Sequence, residues 1–209
     1  EGYYYNPRVD KELLRQHAEG LICMSACVGG ELPHLIQREG LAEAEKAARE
    51  LMDILGDDFY LEIQRHGIDI EAKVNEGLLK LHQKLDLPLV ATNDFHFLRA
   101  DDHLAHDALI CIQTGKLIAD KNRMCYVDGL YMKSPGEMQR LFADLPHALE
   151  STLAIAEKCD LKLEFGKTQL PVFPMPPGYT DADQYLRHLA EEGLHRRYAK
   201  VDEVLQARL

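Results

Sequence analysis

FYLEIQ, residues 59–64, and LPLVAT, residues 87–92, decide the fold. The first alternates Phe59, Leu61 and Ile63 with Tyr60, Glu62 and Gln64, the two-residue period of a strand with one apolar and one polar face. The second is a short apolar run opened by Pro88, the pattern of a buried strand. Between them Val74, Leu78, Leu81 and Leu85 recur at helical spacing, so the two strands are joined by a helical crossover. Working backwards, Leu41, Ala44, Ala48, Leu51, Met52 and Leu55 mark an amphipathic helix stopped by Gly56. A helix from about Glu31 to Gly40, an apolar strand LICMSA at 21–26 and a short helix at 10–19 precede it. The order αβααβαβ predicts an α/β fold with a parallel sheet, open or closed into a barrel.

Beyond Thr92 the pattern changes. Residues 99–112 predict a helix, 116–130 an irregular loop carrying Lys121, Asn122 and Arg123, and LYMKS (130–134) a short strand. Ser134 and Glu137 stand at capping-box spacing, so a helix begins there, and another covers about 147–158. LPVFPMPPGYT (170–180) holds four prolines and a glycine and predicts a linker or strap. A helix from Asp181 to Tyr198 follows.

The 209 residues carry 24 Lys and Arg against 35 Asp and Glu, a net charge of −11, which argues against a stand-alone nucleic-acid-binding module. No apolar run approaches the ~20 residues of a membrane span. The opening EGYYYNPRVDKE does not read as a secretory leader, and a chain beginning at Glu1 predicts a piece of something longer. The five cysteines are Cys23, Cys27, Cys111, Cys125 and Cys159. They are odd in number and lack a CxxC, so they predict mainly buried thiols in a reducing cytoplasm rather than disulfides or a zinc ribbon.

In parallel α/β folds, chemistry collects where strands end. Cys27 follows the first strand, Arg65 and His66 the second, and Asn93, Asp94 and His96 the third. If the segment stays extended, Asp94 and His96 point the same way while Phe95 packs behind them. A carboxylate with an imidazole suits Zn²⁺, Mn²⁺ or Fe, and a Cys27 thiolate would bias the site to zinc. Taken alone, Asp94 reads as a turn residue capping the helix that follows, His96 as a hydrogen-bonded rim histidine and Cys27 as a buried thiol. Arg65 and His66 read either as a phosphate contact or as a polar turn. His103 and His106, and the cluster His195, Arg196, Arg197 and Lys200, read best as solvated helix faces.

GLICMSACVGGELP, FYLEIQRHG, VATNDFHFLRADDHLAHDALICIQTGK, LYMKSPGEM and LPVFPMPPGYTDADQYLRHLAEEGLHRRY resemble, in order and spacing, the alpha subunits of bacterial replicative DNA polymerase III. The resemblance implies part of a polymerase-and-histidinol-phosphatase (PHP) domain, a distorted (β/α)7 barrel with parallel strands, followed by a mainly helical segment leading to the palm. Residues 1–115 would be the later part of the barrel, 116–169 its end and a helical connection, 170–180 the linker, and 181–209 the start of the palm. Cys27 would fall on a late metal-ligand position of the PHP family, and Asp94 and His96 on its last two. His66 would be a rim residue, and the polymerase aspartates would lie elsewhere.

The implied parent enzyme is a cytoplasmic DNA-directed DNA polymerase using Mg²⁺, DNA and deoxynucleoside triphosphates, with a proofreading exonuclease subunit and a sliding clamp as partners and no membrane. Its PHP region would be either a Zn²⁺- or Mn²⁺-dependent 3′–5′ exonuclease or a structural platform. The alternative is a stand-alone, histidinol-phosphatase-like PHP phosphoesterase. Residues 100–198 discriminate, because a small phosphatase has no need of them.

Overall fold

The structure, a computed structural model, describes residues 5–168 and 170–209. The first four residues of the opening segment, and Gln169, where the expected helical connection ends, lie outside the described residues. The chain divides into two compact units, Glu1–Asp160 and Leu161–Leu209.

In the first unit three strands, β1 (Cys23–Met24), β2 (Phe59–Ile63) and β3 (Leu89–Ala91), form a parallel sheet in the order β1-β2-β3. Cys23 lies opposite Phe59, and Leu61, Glu62 and Ile63 lie opposite Leu89, Val90 and Ala91. Helix α1 (Lys11–Gln16) precedes β1, α2 (Glu31–Arg38) and α3 (Leu41–Leu55) form the first crossover, and α4 (Asp69–Leu85) the second. Helix α1 is capped by Asp10, whose carboxylate accepts from the Leu13 amide at 2.8 Å.

The core is built where helical and strand periodicities meet. Leu32 and Ile36 of α2, Ala44 and Ala48 of α3, and Leu78 and Leu81 of α4 close over Phe59, Leu61 and Ile63. Each fully buried leucine contributes roughly 1.5–3 kcal/mol of transfer free energy. Helices α2 and α4 approach closely because Gly77 has no side chain. A Cβ there would stand 2.7 Å from Ile36 Cγ2.

Three expectations change. LICMSA keeps strand pairing only at Cys23 and Met24, because Ala26 at φ 63° turns the chain aside. The polar side of FYLEIQ is covered rather than solvated, with Tyr60 and Gln64 buried. Gln64 Nε2 donates to Glu62 Oε1 (2.8 Å) and Thr92 Oγ1 (3.1 Å), and Ser25 Oγ accepts from the Glu62 amide (2.8 Å). These bonds let a strand bury both faces without orphaned polar groups. Among the cysteines only Cys111 is buried, while Cys125 and Cys159 are exposed and Cys23 and Cys27 are half-buried.

After β3 come α5 (His103–Thr114), α6 (Pro135–Leu141) and α7 (Pro146–Lys158). The loop between α5 and α6 is irregular, and LYMKS contributes a single parallel bridge, Phe97 to Tyr131. The capping box at α6 is present. Ser134 Oγ accepts from the Glu137 amide at 3.4 Å, and Glu137 Oε2 accepts from the Ser134 amide at 2.8 Å. The Ser134 hydroxyl and amide, with the Tyr131 hydroxyl, hold Glu137 down at about 2. Helix α7 packs against β3.

In the second unit, 170–180 carries no helix or strand, but it is more than a tether. Phe173 and Tyr179 lie 5.9 and 4.9 Å from the Tyr185 ring, on helix α8 (Ala182–Arg197), which Asp181 caps. His195, Arg196 and Arg197 end that helix, and α9 (Glu203–Gln206) follows.

Candidate functional site

The ends of β2 and β3 lie side by side and treat their polar residues differently. Past β2, Arg65 turns away from solvent. Its guanidinium donates to both carboxylate oxygens of Asp144 (2.6 and 2.8 Å) and to the Leu141 carbonyl (2.6 Å), with its carbon 4.8 Å over the Phe142 ring. The Asp144 carboxylate holds the Arg65 pKa above its ordinary value. This fork ties the end of β2 to the turn between α6 and α7.

His66 is buried. Its Nδ1 faces Glu71 Oε1 at 2.6 Å and its Nε2 faces the Asn93 carbonyl at 2.6 Å. Both partners are acceptors, so both ring nitrogens carry hydrogens and the ring is an imidazolium paired with Glu71. Burial works against the charged ring, but the Glu71 carboxylate and the Asn93 carbonyl outweigh it and raise the His66 pKa. Burial likewise opposes the Glu71 carboxylate, and the His66 ring and amide outweigh it, lowering its pKa. Glu71 Oε2 accepts from the His66 amide at 2.7 Å. Arg65 and His66, expected as possible phosphate contacts, are therefore committed to protein partners. The polar-turn alternative describes them.

Past β3 the chain stays open. Asp94 Oδ1 stands 3.8 Å from His96 Nε2, with the two side chains 39% and 32% exposed. The pairing does not come from an extended pleat. Asp94 has φ 37°, so a left-handed turn brings carboxylate and imidazole together. Phe95 is exposed instead of packing behind them, and the buried ring is Phe97. Asp94 caps no helix; the turn before α5 is closed by Asp102, which accepts from the Arg99 amide at 3.0 Å. The segment is fastened by the His96 amide donating to the Leu130 carbonyl (2.8 Å) and by Asn93 Nδ2 donating to the Tyr131 carbonyl (3.0 Å).

Lys133 lies beside Asn93. Its ammonium donates to the Gly129 carbonyl, lies 3.4 Å from Asn93 Oδ1, and is lowered in pKa by burial. The chain passes so close here that a Cβ on Gly129 would fall 2.5 Å from the His66 carbonyl oxygen.

An oxygen and a nitrogen 3.8 Å apart can share one ion of the size of Zn²⁺ or Mn²⁺, whose bonds to such atoms run about 2.0–2.2 Å. The Asp94–His96 pair thus fits a metal. Cys27 does not join it. Among the described residues no three His, Cys, Asp or Glu side chains converge to hold an ion, because the turn at Ala26 ends the strand that was expected to aim the thiol.

Sequence reasoning also missed Glu71 and the rings around His96. Nothing at Ile68, three residues before Glu71, signals a cap. His103 and His106 are packed rather than solvated. His103 Nε2 lies 3.0 Å from the Tyr126 carbonyl, and His106 lies 5.3 Å from both the Phe97 and Tyr126 rings.

Comparison with known proteins adds the lineage. Residues 1–66 match the PHP domain, a stretch that ends at His66 and so stops short of Asp94. The chain is 42% identical over its whole length to DNA polymerase III subunit alpha of Treponema pallidum, 43% to that of Borreliella burgdorferi, and 42%, over 95% of its length, to that of Thermus aquaticus. It spans about 18% of the length of the first two. No helix among the described residues is long and apolar enough to cross a membrane. From end to end, then, the chain is similar to one segment of DNA polymerase III subunit alpha, beginning in its PHP domain.

Proposed function

We propose that this chain is the stretch of a replicative polymerase alpha subunit that carries the later part of the PHP domain and the connection towards the palm. The whole protein would extend a primed DNA strand from deoxynucleoside triphosphates. The observation that carries this reading is similarity at 42–43% identity sustained over the entire chain. That similarity includes residues 100–198, which a stand-alone phosphoesterase does not need. On this reading the partners are DNA, a proofreading exonuclease subunit and a sliding clamp.

Within the PHP region we assign Asp94 and His96 as a ligand pair for Zn²⁺ or Mn²⁺, completed by residues from other parts of the domain. When bound, such an ion activates water and offsets charge on a phosphodiester. The chain's own residues do the positioning. Asp94 offers a carboxylate oxygen and His96 a ring nitrogen on an exposed rim where a phosphodiester can reach, while Arg65 and His66 brace the neighbouring strand end. The reading predicts that Asp94→Asn or His96→Ala in the full-length subunit lowers bound zinc, measured by elemental analysis, with primer extension retained. Unchanged metal content in both variants would leave the PHP region as a structural platform.

A further inference from the structure

Metal-binding histidines are ordinarily oriented by a hydrogen bond from the second ring nitrogen to a carboxylate, carbonyl or water. His96 lacks that device. Among the described residues no hydrogen bond fixes its ring, and the Asp94 oxygen 3.8 Å from Nε2 is the partner for a shared ion rather than a brace. Rings surround it instead. Tyr126 lies 4.6 Å from His96 between centroids at 37°, and His106 lies 6.0 Å away at 62°. Tyr126 and His106 are themselves edge-to-face at 5.3 Å and 71°. Three mutually packed rings restrict rotation about the His96 side chain as a hydrogen bond would, and aromatic pairs in such geometry are favourable beyond their area.

Tyr126 belongs to a long irregular loop, which by itself would be a poor support. Two contacts make it a firm one. Arg123, three residues earlier, grips Asp107 of α5 through both carboxylate oxygens at 2.5 and 2.7 Å. Its Nε also donates to the Ile118 carbonyl at 3.1 Å. The two side chains are only 11% and 14% exposed, so this fork is sheltered and bidentate, the strong class of ion pair. On the other side His103 donates from Nε2 to the Tyr126 carbonyl at 3.0 Å. His103, His106 and Asp107 all lie on α5, so one helix holds the loop at two points and supplies the third ring.

We infer that Tyr126 and His106 are positioning residues for His96: a ring clamp, locked to α5 by the Arg123–Asp107 fork, that aims the imidazole at the metal it shares with Asp94. This rests on the assignment of His96 as a ligand. The clamp replaces the usual second hydrogen bond by packing, so the tyrosine ring matters and its hydroxyl does not.

The test uses the full-length alpha subunit, stripped of metal by chelation and titrated with Zn²⁺ against a chromophoric competitor. Tyr126→Ala is expected to weaken Zn²⁺ binding by about tenfold or more, the range of losses when groups supporting metal ligands are removed. Tyr126→Phe is expected to stay within about twofold of the parent, and Arg123→Ala, which touches neither ligand, to weaken binding in the same direction as Tyr126→Ala. With Co²⁺ in place of Zn²⁺, the visible absorption bands should move in Tyr126→Ala and be restored in Tyr126→Phe. A merely structural role would move the melting temperature in both and leave these bands alone. His96→Ala is the control. If it abolishes binding while Tyr126→Ala binds as the parent does, the clamp is wrong and the ligand assignment stands. If His96→Ala binds as the parent does, the ligand assignment falls and the clamp with it.

Discussion

The ends of β2 and β3 carry similar chemistry, an arginine and a histidine at one and an aspartate and a histidine at the other. At β2, Arg65 and His66 find carboxylates and carbonyls at 2.6–2.8 Å and are withdrawn into the protein. At β3, Asp94 and His96 face each other across 3.8 Å with room for an ion. A polar residue at a strand end is therefore not a site by virtue of its place. It becomes one where the surrounding chain declines to satisfy it, and it becomes scaffolding where the chain supplies partners.

Breaking the closed end should cost far more stability than breaking the open one. The largest effect is expected for Glu71→Ala, which leaves the His66 imidazolium buried without its counter-charge. A loss of about 3 kcal/mol should show as a lower denaturant midpoint by far-UV circular dichroism.

The same pair sets a pH signature. Because the His66 pKa is raised, its contribution is complete below the ordinary histidine value of about 6.5 and is lost as pH rises through the raised one. Because the Glu71 pKa is lowered, its contribution is complete above about 4.3 and is lost as pH falls through the lowered one. Glu71→Gln should flatten both flanks of the stability profile. A profile as steep as the parent's would show that the pair carries no linkage.

Arg65→Ala should cost about 1 kcal/mol, since Asp144 is well exposed and exposed ion pairs are screened. Part of that loss is the Leu141 carbonyl left without its donor. At the open end His96→Ala should cost about 1 kcal/mol at most, through its lost contacts with the Tyr126 and His106 rings, with its larger effect on metal content. A cost at His96 equal to that at Glu71 would erase the distinction between the two ends.

The alternation of FYLEIQ and the helical stripes on either side of it contain the parallel sheet and its crossovers, because period and turn residues are local properties. The Ser134–Glu137 cap is legible for the same reason. Partners distant in sequence were not. Arg65 looks available for phosphate until Asp144, 79 residues away, is folded against it, and the polar side of β2 looks solvated until Thr92 and Ser25 meet it. Asp94 and His96 come together, but not by the route their spacing suggests. The i, i+2 rule presumes extended backbone, and the left-handed turn at Asp94 produces the pairing by another route. The same kind of turn at Ala26 separates Cys27 from them, and no sequence period announces it.

Gly129 joins these two ends. Its backbone runs against the His66 carbonyl so tightly that a methyl group would stand 2.5 Å from that oxygen, and the next residue, Leu130, supplies the carbonyl that fastens His96. A saturation scan of the chain would thus register position 129 as intolerant even to alanine, although it bears no side chain, contributes nothing to the apolar core and touches no substrate. Displacing it would loosen the scaffold and misalign the ligand in one stroke, and an observer scoring only lost function would mistake a hinge-pin for a reactive residue.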